Sequence, residues 1–185
     1  LGSIKVSKEE TKQMAATIPR SSILGFIIGV LPGAGATIAS FLAYGMERNF
    51  VKNEEKEKFG KGSVQGLSAP ETANNAACSG SFVPLLTLGI PGSGTTAVML
   101  GALLGFGIQP GPRLYQTNPD IFWSVIMSMY IGMVVLLILN LPLIPYIARI
   151  LAVPRTFLIP MILFFSVTGI YLMSVSYTHL TLPTT

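Results

Sequence analysis

Charged side chains are scarce in this sequence, and their placement matters more than their number. They make up 11% of the 185 residues. No Asp, Glu, Lys or Arg occurs from Ser21 to Met46, from Thr72 to Pro112, from Ile121 to Ala148, or from Thr156 to the end. Each window exceeds the ~20 residues that cross a bilayer core. That distribution argues against the single soluble domain that the length alone would suggest. The chain also has one cysteine and one histidine. One cysteine closes no internal disulfide, and one His with one Cys makes no zinc site. Cys78, in Ala76-Ala77-Cys78-Ser79-Gly80, reads as a small packing residue, with no histidine upstream to serve as its base. The net charge of +4 is confined to short tracts between apolar windows. This fits the positive-inside bias of membrane proteins and not a nucleic-acid face.

What the sequence has in abundance is apolar residues, at 50%, with 19 glycines and 13 prolines. It also writes one hexapeptide twice inside apolar windows, Pro32-Gly33-Ala34-Gly35-Ala36-Thr37 and Pro91-Gly92-Ser93-Gly94-Thr95-Thr96. Proline removes a backbone donor and clashes with the preceding turn, while paired glycines add conformational freedom, so a helix reaching either copy should break there. At membrane depth, freed N–H and C=O groups are tolerated only where protein or a watery cavity satisfies them. Each break is therefore a candidate binding site. A half-helix beginning after a break offers N–H groups to an anion, and one ending before it offers carbonyls to a cation. Thr37, Ser93, Thr95 and Thr96 add hydroxyls. The competing explanation is a Gly/Pro kink that serves packing alone.

Along the chain, residues 1–20 carry Lys5, Lys8, Lys12 and Arg20 against Glu9 and Glu10 and predict a helix at the membrane surface, ended by Pro19. Residues 21–46 predict a re-entrant hairpin turning at Pro32-Gly33-Ala34-Gly35. Both flanks are basic, and a hairpin keeps both on the cytoplasmic side. Each arm then has ~10 residues, or ~15 Å of helix. Residues 47–61 pack five Lys/Arg and four Glu into an aqueous, cytoplasmic loop. Residues 62–80 form a small-residue segment facing inward, in which Glu71 is the one acid and Asn74 and Asn75 can donate to a carboxylate without carrying charge. Glu71 reads as a ligand for a coupling cation or proton, since an intramembrane carboxylate costs ~2.5–3.5 kcal/mol on insertion scales and needs a partner; a solvated acid at the cytoplasmic mouth is the alternative.

Residues 82–106 form the second broken helix, and the poorly basic loop after it suits the outside. Residues 121–148 and 157–173 predict transmembrane helices, with Trp123, Tyr130 and Tyr146 as interfacial anchors and Pro142 and Pro145 bending or ending the first. The Thr-rich stretch 175–185 continues no helix pattern and is expected to be non-native. The absence of an initiator Met points to part of a longer protein. The predicted fold is an all-α membrane protein, a polytopic helical bundle whose re-entrant or discontinuous helices break at Pro-Gly-x-Gly motifs. Gly33, Gly35, Thr37, Asn74, Asn75, Gly92, Ser93, Gly94, Thr95 and Thr96 are the candidate substrate ligands.

Gly89-Ile90-Pro91-Gly92-Ser93-Gly94-Thr95-Thr96 approaches a phosphate-binding loop, but Thr95 stands where lysine must reach the terminal phosphates, so nucleotide hydrolysis is not expected. Nor do the ionisable residues assemble an enzyme site.

The run Gly29-Val30-Leu31-Pro32-Gly33-Ala34-Gly35-Ala36-Thr37, with Phe59-Gly60-Lys61-Gly62, Ala69-Pro70-Glu71, Ala73-Asn74-Asn75-Ala76, Leu88-Gly89-Ile90-Pro91-Gly92-Ser93 and Gly107-Ile108-Gln109-Pro110-Gly111-Pro112, resembles the large permease subunit of tripartite tricarboxylate transporters, the TctA type, over roughly residues 20–173. The resemblance implies a multi-pass protein of the bacterial inner membrane, a secondary transporter importing citrate and other carboxylates on a Na⁺ or H⁺ gradient. It implies a small membrane subunit and a periplasmic substrate-binding protein as partners. It further implies an N-terminal half of the same permease, with this chain as most of the second half. A structural membrane subunit that transports nothing is the competing class.

Overall fold

The computed structural model describes residues 6–150 and 154–181. Every element among them is helical: α1 (Lys8–Val30), α2 (Gly35–Phe50), α3 (Asn53–Lys56), α4 (Val64–Gly80), α5 (Phe82–Leu88), α6 (Gly94–Gly105), α7 (Leu114–Thr117), α8 (Pro119–Ile150) and α9 (Arg155–Thr181). The chain divides into two units, residues 2–128 and 129–185.

In the first unit α1 and α2 form an antiparallel hairpin. Thr17 and Arg20 at the middle of α1 meet Glu47 near the end of α2, and the chain reverses between Val30 and Gly35. α4 packs against both arms and runs parallel to α1, because Gly25 lies against Ala73 and Gly29 against Ala77. The interface has a four-residue period of small side chains. Thr17, Ser21, Gly25 and Gly29 are buried on α1, Ala39 and Ala43 on α2, and Ala69, Ala73, Ala77 and Gly80 on α4. Spacings of four, with one of three from Ala77 to Gly80, keep these residues on one helical stripe, and their size lets backbones close together. A Cβ on Gly25 or Gly29 would overlap the Ala73 or Ala77 backbone.

Two expected boundaries are corrected. Pro19 does not end the first helix: α1 passes through it, joining the expected surface helix to the first arm of the hairpin. An interior proline costs roughly 3 kcal/mol, but the turns on either side are committed, by a Ser7–Glu10 capping box upstream and by burial of Thr17 to Gly29 against α4 downstream. The first five residues of the expected surface helix lie outside the described residues. Second, Glu47 is not a solvated loop residue. α2 continues to Phe50, and Glu47 is fully buried.

Beyond α4 a tight junction at Ser81 leads into α5. Gly89 (φ 70°) ends α5, and α6 starts at Gly94. α6 closes in a Schellman turn, Gly107 N–H to Leu104 C=O and Ile108 N–H to Leu103 C=O, with Gly107 left-handed. The chain then returns to α5, where Gly111 N–H donates to Leu86 C=O at 3.2 Å and the Pro110 carbonyl sits where a side chain on Gly89 would project.

Among the described residues two helices, α1 and Pro119–Ile147 of α8, are long and apolar enough to cross a membrane. From Met133 to Ile144 α8 exposes apolar side chains on every face, among them Leu137 and Ile138, as a helix surrounded by lipid or other apolar helices does. Neither Pro142 nor Pro145 ends it, since α8 runs on to Ile150. α9 likewise extends past Met173 to Thr181, so the Thr-rich stretch is helical through that residue; residues 182–185 lie outside the described residues.

Candidate functional site

The two hexapeptides break their helices by different means. At the first, Leu31 is extended (φ −78°, ψ 115°), as a residue before proline prefers, and both Gly33 (φ 83°) and Gly35 (φ 71°) are left-handed. At the second, the left-handed residue is Gly89, upstream of the motif. Gly92 serves proximity instead: a Cβ there would stand 3.1 Å from Ser81 Cβ and 3.6 Å from the Gly29 carbonyl oxygen. The second break is thereby seated on the tip of the hairpin.

Between them lies a cavity of about 220 Å³. Gly29 of α1, Gly35 and Ala36 of α2, Cys78 and Ser81 around the end of α4, and Gly92, Ser93, Thr95 and Thr96 of the second break line it, with Ala77 and Phe82 closing the wall. The N-terminal turns of α2 and α6 both open onto this space. The first N–H groups of a helix have no acceptor within the helix, and each N-terminus carries roughly half a positive charge. α2 starts at Ala34 without a side-chain cap. α6 is capped: Ser93 Oγ accepts from Thr96 N–H at 3.2 Å, and Thr96 Oγ1 accepts from Ser93 N–H at 2.8 Å. The hydroxyls of Ser93 and Thr96 are therefore engaged in the cap, while the N–H groups of Gly94 and Thr95 precede the intrahelical ladder. No Asp, Glu, Lys, Arg or His lines the cavity.

Of the residues expected to bind substrate, Gly35, Gly92, Ser93, Thr95 and Thr96 meet at this cavity. Gly33, Thr37, Gly94, Asn74 and Asn75 do not line it. Gly33, Thr37 and Gly94 are exposed at the two breaks. Asn74 is turned to α2, its Nδ2 donating to Ser40 Oγ at 3.3 Å, while the Ser40 hydroxyl has the Ala36 carbonyl at 3.0 Å and the Pro70 carbonyl at 3.2 Å as acceptors. Exposed Asn75 donates back to the Glu71 carbonyl at 2.9 Å. Glu71 stands apart, lining a wider cavity of about 740 Å³ near the start of α4 with Glu10, Met14, Tyr44 and Ser63. Gly29, Cys78 and Ser81 were not foreseen as wall residues. The four-residue small spacing that ends at Gly29 was the legible signal for the first, and the other two depend on how α4 meets the second break.

A sequence model of the family described as "Tripartite tricarboxylate transporter TctA family" matches residues 2–183. Two relatives come from Agrobacterium vitis. The "Uncharacterized 52.8 kDa protein in TAR-I ttuC' 3'region" is 45% identical over 166 residues, covering 90% of this chain and 33% of that protein. The "Uncharacterized protein in TAR-II ttuC' 3'region" is 46% identical over 147 residues, covering 80% of this chain and 60% of that protein. The chain thus spans about a third and three fifths of these relatives' lengths. No solved structure matches significantly.

Proposed function

The chain belongs to the tripartite tricarboxylate transporter TctA family, and from that premise we propose that it is part of an ion-gradient-driven permease importing tricarboxylates or related carboxylates across the bacterial inner membrane. A periplasmic binding protein delivers the substrate, a small membrane subunit completes the assembly, and the rest of the permease supplies the other helices.

The observation that supports this reading is the convergence of two helix N-termini on one cavity. Two such ends supply about one positive charge in total without a basic side chain. That suits one carboxylate group held by the N–H groups of Gly35, Ala36 and Thr95, with the hydroxyl of Thr95 beside it. Asn74, Asn75, Thr37 and Gly33 then act at the margins of the path. Glu71, in the separate wide cavity, is the proposed ligand for the coupling cation or proton, and its distance from the anion cavity keeps like charges apart.

Cys78 lines the anion cavity and is an exposed free thiol, which makes it a reporter. In membranes carrying the whole permease, di- or tricarboxylates should slow its alkylation by a small maleimide at least about fivefold, which corresponds to ~1 kcal/mol of protection. Labelling at an unchanged rate with every carboxylate tried would favour the structural-subunit alternative.

A further inference from the structure

At the open end of the hairpin, a partly exposed Arg20 meets a buried Glu47 in an ionic cluster outside the cavity just described. Glu47 is fully buried, and its Oε1 accepts from Thr17 Oγ1 at 2.7 Å and from Arg20 Nη2 at 2.6 Å, while its Oε2 accepts from Arg20 Nε at 3.3 Å. The guanidinium also lies 5.2 Å from the Phe50 ring centroid. Both groups are thus held in one orientation, and neither is available as a free charge.

The buried rest of this three-helix interface is mostly alanine, glycine and serine, with half-buried Leu24 and Ile28 of α1 packed at its edge. Such surfaces let helices approach but give little relief against axial sliding or rotation. Directional bonds supply what shape does not. α2 has two anchors of this kind, Glu47 to α1 and Ser40 to α4, where the Ser40 hydroxyl accepts from Asn74 Nδ2 at 3.3 Å. A helix transmits register along its axis, and Gly35 lies twelve residues from Glu47, ~18 Å away. Gly35 and Ala36 are what α2 contributes to the tip cavity.

We propose that Arg20 and Glu47, with Thr17, are positioning residues for the tip cavity. They lock the register of α2 against α1, so that the N-terminal turn of α2 stays opposite that of α6. The functional consequence rests on the carboxylate reading above; the geometric consequence does not.

The test uses the full-length permease in membranes and reads the Cys78 peptide by mass spectrometry after maleimide labelling. Arg20→Met/Glu47→Leu removes both charges together, so no orphan ion is buried and the fold should persist. Arg20→Lys keeps the charge and loses the planar fork. In both variants the labelling rate without ligand should change, and the carboxylate concentration giving half-protection should rise by about 5- to 150-fold for the double variant and less for the lysine. Wild-type labelling and protection in both, even with lowered thermal stability, would overturn the proposal and leave a purely stabilising pair. If the double variant fails to insert, Arg20→Lys decides on the same two readouts. If carboxylates fail to protect even the wild type, the carboxylate reading falls, and the unliganded labelling rates still judge the register lock.

Discussion

At the scale of single residues, glycines that look equivalent in the sequence do different work. Gly33 and Gly35 supply left-handed backbone with open space around them, whereas Gly92 supplies closeness to Ser81 and Gly29 without a left-handed angle. Gly29 is a third kind, since even a methyl there would enter the Ala77 backbone. Gly29→Ala should therefore force α1 and α4 apart and destabilise by about 1–3 kcal/mol or more. Gly45→Ala, in the interior of α2 with nothing within 4 Å of the added carbon, should be neutral or stabilise by up to ~1 kcal/mol. Thermal unfolding in a mild detergent checks the contrast, and equal behaviour of the two variants would mean that α1 and α4 are not in backbone contact. These distinctions were not legible beforehand. A hexapeptide predicts that the chain turns; the neighbour that makes the turn necessary comes from elsewhere in the chain.

Among the elements, the sequence placed both breaks well but made the hairpin arms too short, since α1 has 23 residues and α2 has 16. Local chemistry set the breaks: proline without a donor, then glycine. It misjudged Pro19, where packing of Thr17, Ser21, Gly25 and Gly29 on α4 outweighs the lost hydrogen bond. The start of α6 is the reverse case, written locally in Ser93 and Thr96 as a capping box and still read as a pair of ligand hydroxyls. Ser93→Ala should lower stability by about 0.5–2 kcal/mol through loss of that cap. A melting temperature equal to wild type would show that the α6 N-terminus is held by something other than its own side chains.

For the whole molecule, the contrast in basic residues between the stretch after α2 and the turn after α6 sets an expectation for topology. Lys52, Lys56, Lys58 and Lys61 crowd the first, with Arg48 in the last turn of α2 before it, while Arg113 is alone between Thr72 and Asp120 in carrying positive charge. Cysteines introduced at Asn53 and Gln116 in a Cys78→Ala background should label from opposite sides, Asn53 from the cytoplasm and Gln116 from the periplasm. Labelling of Asn53→Cys by an impermeant reagent outside intact spheroplasts would reverse the orientation. The sequence by itself determined that the described residues are helical and where those helices break, because apolar windows and helix-breaking motifs are properties of consecutive residues and need no partner to act. Only the tertiary structure decided which residues share a cavity: Gly29, Cys78 and Ser81 joined the two breaks, while Asn74 turned to Ser40 and Glu71 fell to a separate space. It also decided that Glu47 is buried against Arg20. Burial and convergence depend on the parallel packing of α1 with α4, a contact between residues about fifty positions apart that no local pattern encodes.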